Sequence, residues 1–434
     1  MQEPNRLRIL FLGQPMAELA HVEGREGGVF ALAFEAAFLA SGHDLSPLRL
    51  PLERQSTTPS TWKAGDTPFV GGLPGLIADS LPDAWGERML AQELPGLKTL
   101  LGKLSAIGSR GLGALSFEPI LGRGALDEGT AAQLPQLARE ASELMRTPAL
   151  LDKDRVTRAL ATGGSSLGGA YPKISTHLPQ RLDGVLKLQD LMVGGPPPQG
   201  YTPSILKLSR STDEAEGAVE YAFWLMANRA GIRTPRAWLV DDGTRLHFAV
   251  ERFDRYLKED GAWGRRHVHS LSGMLHKRAA DRAIDYEEML RLCRNLGGAG
   301  EAEECFRRVV FNLLSTNRDD HGRNHAFLYD ERSRTWSLAP AFDLNPSVFN
   351  QLVALSFRGS AEIPTNYRQL VEFAAVGGIS EKRAKAIYDQ VENAVIGGWP
   401  MAAQEAQVPG PMVALWGKEI ANQTKPLRAT ASRF

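Results

Sequence analysis

Only two cysteines, Cys293 and Cys305, occur among the 434 residues. Both stand in helix-like contexts, which fits buried thiols in a reducing cytosol better than a disulfide framework. A surplus of one charge is missing too. Lys and Arg total 50 and Asp and Glu total 50, so no bulk field exists to hold nucleic acid or a membrane surface, and any such contact must come from a local patch or a partner. The mildly basic end, with Lys418, Lys425, Arg428 and Arg433 against Glu419, reads equally well as such a patch or as a solvated tail. No run of about eighteen apolar residues is present to span a membrane, and the opening Met1-Gln-Glu-Pro-Asn-Arg6 does not resemble a signal peptide. The expected location is the cytoplasm, with no membrane contact. What remains is the ordinary balance of a globular protein, 43% apolar and 23% charged, on a chain long enough for two or three cores.

The densest chemistry lies in Asn312-Leu-Leu-Ser-Thr-Asn-Arg-Asp-Asp-His-Gly-Arg-Asn-His325, where carboxylate, imidazole and amide groups crowd a short loop after an apolar run. Asp319 and Asn324 are five residues apart. That is the separation of a catalytic-loop Asp that orients a hydroxyl nucleophile and an Asn that holds a metal on ATP phosphates. A second metal-holding Asp should follow. After Asn324 the chain reads as strand, turn at Glu331 to Arg334, strand, then Pro340-Ala-Phe-Asp343, and a hairpin would carry Asp343 back beside Asn324. A polar turn capping the helix is the bland alternative. A metallohydrolase cluster of Asp319, Asp320, His321 and His325 is another, opposed by Gly322 and by the strand starting at His325.

Upstream, Ala161-Thr-Gly-Gly-Ser-Ser-Leu-Gly-Gly-Ala-Tyr-Pro-Lys173 is a Gly-rich loop whose backbone N–H groups could approach phosphate oxygens, although it matches neither GxGxxG nor the Walker sequence. Ser204-Ile-Leu-Lys-Leu-Ser209 then puts Lys207 into an apolar strand, where an amine needs a carboxylate or phosphate partner. Ser211-Thr-Asp-Glu214 predicts a helix start, with an apolar stripe from Val219 to Ala230, a stop at Gly231, and Glu220 in reach of a strand lysine. Trp238 to Asp254 predicts a hairpin turning on Asp242-Gly243. In a two-lobed kinase its exit would be the hinge where backbone groups meet adenine, marked by Glu251 and Phe253. Before all this, strands are expected at Arg6 to Gly13, Gly27 to Phe34 and Gly113 to Pro119, short helices bent at Leu81-Pro82, and a helical stretch from Asp127 to Leu160.

Several of these motifs, in this order, resemble the HipA kinases, the toxins of bacterial HipBA toxin–antitoxin systems. They are Ser166-x-x-Gly169-Ala170-x-x-Lys173, Ile205-Leu-Lys207, Val219-Glu-Tyr221, Ala249-Val-Glu-Arg-Phe-Asp-Arg255, Asp319-x-His321-x-x-Asn324 and Pro340-Ala-Phe-Asp343. Leu45 to Leu52 and Phe69-x-Gly-Gly-Leu-Pro look like the family's N-terminal subdomain. The resemblance implies an α+β, two-lobed fold distantly related to protein kinases, with a mixed N-lobe and a mainly helical C-lobe. The expected partition is 1–125, 126–256 and 257–434. It implies a protein serine/threonine kinase using ATP and Mg²⁺, with aminoacyl-tRNA synthetases as the target class. It also implies a HipB-like helix-turn-helix antitoxin as partner, so that DNA is met only through that partner. In these terms Asp319 orients or deprotonates the hydroxyl, and Asn324 and Asp343 hold Mg²⁺. Lys207 neutralises the phosphates with Glu220 as brace, and Gly168, Gly169 and Lys173 cover them. His321 fixes the loop, Asp320 has no assigned role, and Ser166 or its neighbour Ser165 is the site of autophosphorylation. A non-catalytic nucleotide-sensing co-repressor is the rival class.

Overall fold

The computed structural model describes residues 2–23, 28–63, 71–121, 129–146, 160, 171–180, 185–278, 283–347, 354–360 and 362–432. The chain divides into two compact units. The first comprises Met1–Thr212, Trp238–His269 and Gly273–His276, and the second Asp213–Ala237, Ser270–Ser272 and Lys277–Phe434.

Two large sheets form the frame of the first unit. β1 (Arg6–Phe11), β2 (Gln14–Val22), β3 (Val29–Phe34), β4 (Ser60–Trp62) and β5 (Leu115–Glu118) form an antiparallel sheet in the order β4-β3-β2-β1-β5. Alternation along β1 sends Leu7, Ile9 and Phe11 into the core and leaves Arg6 and Arg8 exposed, the signature of a half-buried strand. Gly13 is the one turn-forming residue between β1 and β2, and no second one stands beside it. β2 pairs with β1 through a two-residue turn with Leu12 and Gly13 both at positive φ (51° and 80°), a conformation that leucine rarely supplies.

The second sheet is β6 (Thr130–Gln133), β7 (Lys173–Pro179), β8 (Val185–Lys187), β9 (Asp190–Val193), β10 (Tyr201–Lys207), β11 (Ala237–Asp241) and β12 (Leu246–Glu251), ordered β6-β9-β7-β10-β12-β11-β8. One face is covered by the helix Leu134–Arg146. Its Leu134, Leu137, Ala138, Ala141 and Leu144 fall at helical spacing and pack with Ile174, Leu178, Leu206, Ala249, Trp238 and Val240. The stretch expected to be helical from Asp127 therefore opens as strand β6, because Ala132 is drawn into the ladder with β9. The bend at Leu81-Pro82 separates the helices Gly75–Ala78 and Ala84–Glu93, since proline cannot donate within a helix.

Polar stitches complete this unit. Asp254, fully buried, accepts from Arg252 Nε (3.0 Å) and Nη2 (2.8 Å), from Arg255 and from the Gly113 N–H (2.8 Å). Arg265 donates to the Gly113 carbonyl at 2.8 Å and the Leu115 carbonyl at 3.1 Å. The segment leading into β5 is thus pinned to the turn after β12. Elsewhere His269 Nδ1 lies 2.6 Å from Asp79 Oδ2 and its Nε2 lies 3.0 Å from Ser46 Oγ. The atoms follow the order of a nucleophile triad. Ser46 is 1% exposed and His269 0%, so no substrate reaches the hydroxyl, and the network ties three remote segments together instead.

In the second unit the helix Glu216–Arg229 starts later than Ser211 predicted, with its N-cap at Ala215 in the left-handed region, and stops at Gly231 as predicted. The long Tyr286–Leu314 element is two helices joined at Gly298 (φ 80°). β13 (Arg255–Leu257), β14 (Trp263–Arg265) and most of β15 (His267–Ser270) belong to the first unit, and in the second β16 (Ala326–Asp330) pairs with β17 (Thr335–Leu338), followed by the helices Tyr367–Val376, Glu381–Glu392, Trp399–Glu405 and Gly410–Ala431. Both cysteines are buried and free. Among the described residues no helix is long and apolar enough to cross a membrane.

Candidate active site

The apolar face of the Tyr286–Leu314 helix, including Cys305, Val309, Val310, Leu313 and Leu314, is buried, and this anchors the polar loop that follows. Gly322 lies where a Cβ would come within 2.5 Å of Ser272 Oγ and Ile284 Cδ1, so a larger residue would have to push both side chains aside. The Ser272 N–H donates to the Gly322 carbonyl (3.0 Å) and the Leu271 N–H to the His325 carbonyl (2.8 Å), fixing the loop from its other side.

On this support Asp319 is exposed while Asp320 beside it is buried. The Asn324 side-chain N–H donates to the Asp319 carbonyl at 2.8 Å, leaving the amide oxygen as the Asn324 atom suited to a cation. β16 and β17 then pair antiparallel, with Phe327 opposite Leu338, and the Ala339 N–H donates to the Ala326 carbonyl at 2.8 Å. The hairpin therefore returns the chain that enters Asp343 to the end that Asn324 leaves. Asp343 has φ 58°, a left-handed conformation uncommon for a residue with a side chain and frequent at functional sites. Its carboxylate is close enough to act on Asp319. The Asp319 carboxyl is raised above its ordinary value first by partial desolvation, with the Asp343 charge adding to the rise and His321 opposing it. The Asp343 carboxylate and the Asn324 amide oxygen are hard oxygen donors, and a hard divalent cation of the Mg²⁺ kind fits them, with Asp319 beside them.

The histidines of the loop have local duties. His321 Nδ1 accepts from the Arg323 N–H at 3.3 Å, and His325, buried, places Nε2 3.2 Å from the Asp320 carbonyl. They do not share a helix face, and among the described residues no group of three or more His, Cys, Asp and Glu side chains is arranged for a metal.

In the first unit Lys207 on β10 stands directly opposite Lys173 on β7. Phe248 on β12 is the partner of Lys207 on its other side, with the Lys207 Nζ 5.9 Å from the ring centre. Residues paired in register share a face, so both ammonium groups lie on one side of the sheet, opposite Leu206, Ala249 and Ile174 of the core. Like charges at paired positions repel, and a phosphate between them would relieve this. Next along the same face come Ile205, Val250 and Ser175, all half-buried. Lys173 is 6% exposed and its carbonyl accepts from Trp85 Nε1 at 2.8 Å. Glu251 ends β12 and Phe253 follows it in the turn held by Asp254. Glu220 is buried on the helix Glu216–Arg229 and belongs to the second unit. Gly168, Gly169, Ser165 and Ser166 lie outside the described residues.

Buried ionisable groups set the acid behaviour. His267 and His325 are pushed down to about 3 and His276 to about 4, in each case by burial first, with His269 adding to the first and third and Arg308 to the second. Unfolded imidazoles take up protons near pH 6.5, so below that pH the unfolded chain binds more protons and stability falls, by at most about 1.4 kcal/mol per pH unit per histidine. Asp320, pushed up to about 7 by burial, acts the other way over part of the range. Burial lowers His177 as well and raises Asp44 and Asp319, so four lowered histidines stand against three raised carboxyls and leave a net loss. The urea midpoint is expected to drop between pH 6.5 and pH 4, and a level or rising midpoint would contradict this balance.

Residues 7–118 match the HipA N-terminal domain and residues 165–399 the HipA-like C-terminal domain. Two curated proteins of Sinorhizobium fredii (strain NBRC 101917 / NGR234) are 27% identical to the chain. "Putative kinase Y4mE" aligns over 203 residues, 44% of this chain and 46% of that protein, and "Putative kinase Y4dM" over 234 residues, 50% and 54%. The chain spans about half the length of these curated relatives. Among solved structures, the HipA of the Shewanella oneidensis MR-1 toxin–antitoxin system, determined in complex with HipB and its operator DNA, covers 98% of both chains with a TM-score of 0.68 at 16% identity. That likeness extends the shared fold over nearly the whole chain, and with more than half of the residues inside one domain of the family, the chain belongs to the HipA family.

Proposed function

We propose that the protein is an ATP-dependent protein serine/threonine kinase acting as the toxin of a toxin–antitoxin system in the cytoplasm. The observation that carries this reading is the gathering of Asp319, Asn324 and Asp343 at one end of the β16–β17 hairpin, with Asp319 outward and feeling the Asp343 charge. Asp319 takes the role of orienting the substrate hydroxyl and accepting its proton. Asn324 and Asp343 would hold Mg²⁺, which when bound neutralises charge on the transferring phosphoryl group. Lys207 and Lys173 contribute two positive charges to the phosphates, a use that their shared face favours. Glu220 serves as the brace of Lys207, Gly168 and Gly169 cover the phosphates, and backbone groups at Glu251 and Phe253 meet adenine. The names of the relatives support a kinase, and the HipB and operator DNA named with the Shewanella protein support a HipB-like antitoxin as partner, with DNA reached through it. The proposed substrate is a protein hydroxyl, with aminoacyl-tRNA synthetases as target class, and Ser166 or Ser165 is the proposed site of autophosphorylation.

Incubation with γ-labelled ATP, Mg²⁺ and cell lysate, followed by mass spectrometry of labelled bands and of the 161–173 peptide, tests the reading. Label is expected on a protein of the lysate and on Ser165 or Ser166. ATP binding with no label on any protein would sink the kinase and leave the nucleotide-sensing co-repressor.

A further inference from the structure

The outward placement of Asp319 rests on a buried polar arrangement directly beneath it. The Tyr286–Leu314 helix ends with Asn312, 2% exposed, in its last turn. Carbonyls in a last helical turn have no partner within the helix and must find one elsewhere. Here the loop folds back to supply it: the Asn317 N–H and Arg318 Nη1 both donate to the Asn312 carbonyl at 3.0 Å, and Arg318 Nη2 donates to the Leu313 carbonyl at 3.1 Å. The Asn312 side chain works at both ends. Its oxygen accepts from Asn317 Nδ2 at 3.2 Å, and its Nδ2 donates to Asp320 Oδ2, also at 3.2 Å. Asp320 is 1% exposed and Asn317 and Arg318 are each 3% exposed. Between this anchor and the helix end, Thr316 is held at φ 61°, a strained state for a β-branched residue, and its carbonyl accepts from the Ser347 N–H at 3.0 Å, tying the loop to the segment just past Asp343.

We infer that Asn312 and Asp320 are positioning residues, a buried latch that sets the backbone at 319 and thereby the direction in which the Asp319 carboxylate points. Asp319 and Asp320 are consecutive, so holding the carboxyl of one inside turns the other outward. Neither latch residue touches substrate. The inference rests on the phosphoryl-transfer reading for its kinetic consequence, but the latch itself is a property of the loop alone.

Asn312→Ala, Asp320→Ala, the double variant and Asp320→Asn test the latch on the full chain. Each single alanine variant is expected to slow phosphate transfer at least about tenfold, since small misplacements of a reacting group are costly. The thermal shift given by ATP with Mg²⁺ should remain. The double variant should be no slower than the worse single one, because the two residues act as a unit. Asp320→Asn, which keeps an oxygen for Asn312 Nδ2, should recover most of the loss. Amide hydrogen exchange at residues 316–320 should quicken in the alanine variants and not in Asp320→Asn. Independent, multiplying losses in the double variant, or exchange unchanged in every variant, would overturn the latch. If wild type transfers no phosphate, the kinase reading fails by itself, and the exchange measurements still decide the latch.

Discussion

Asp319→Ala is expected to lower phosphate transfer at least about a hundredfold, close to 3 kcal/mol of transition-state stabilisation, while the protein still binds ATP with Mg²⁺. The reasoning is geometric. Asp319 is exposed, its carbonyl and not its carboxylate engages Asn324, and its carboxyl is raised by desolvation and by Asp343. Removing the side chain takes away the proton acceptor and leaves the Asn324 contact to the backbone intact. Asp343→Ala provides the contrast. It removes a proposed Mg²⁺ ligand, and the stabilisation that ATP with Mg²⁺ confers on the native state should disappear with it. A thermal shift assay beside a labelled-phosphate assay separates the two variants. Transfer at the wild-type rate in Asp319→Ala would remove that residue from the chemistry, and a persisting shift in Asp343→Ala would make Asp343 structural.

Asp254→Ala is expected to be the most damaging single change to folding. The wild-type carboxylate is fully buried among Arg252, Arg255 and Arg265 and is held well below the usual carboxylate range, against its desolvation, by Arg252 and Arg255. Three guanidinium groups already outnumber one carboxylate, and burial with the neighbouring arginines pushes Arg255 down to about 9. Without Asp254 the like charges would face each other in a water-poor site. Breaking a buried ion pair from one side typically costs about 3–5 kcal/mol, a large share of the roughly 5–15 kcal/mol that holds a domain folded. The loss should appear as a much lower unfolding midpoint or insoluble protein. Asp254→Asn, which keeps the shape and loses the charge, should fall between. The carboxylate contribution is present above about pH 4 and lost only as pH falls through its depressed native value, so it does not overlap the histidine window above pH 4. An unfolding free energy for Asp254→Ala within about 1 kcal/mol of wild type would refute the account.

Much of the candidate site was legible in the residues because its signals are local. Asp319 and Asn324 lie in one loop, the order of strand, turn and strand before Asp343 follows from short-range pattern, and Gly231 and Pro82 end helices through backbone chemistry that needs no distant partner. Lys207 announced itself as a charge in an apolar strand. Its register opposite Lys173, by contrast, links positions 34 residues apart in sequence and depends on how β7 and β10 align. Strand β2 was missed because Leu12 is not a turn residue by preference and only the pairing of β1 with β2 holds it at positive φ.

What the sequence determined by itself was therefore the family and the mixed α+β composition, together with the candidate groups proposed for phosphoryl transfer, since these depend on residue types at short spacing. Tertiary structure alone decided which polar residues are internal supports. Asp320 and Asp254 look no different from Asp319 along the chain, yet one is sealed under the loop and one among arginines. Burial is a sum over contacts from segments remote in sequence, and it is burial that turns a carboxylate from a reagent into a brace.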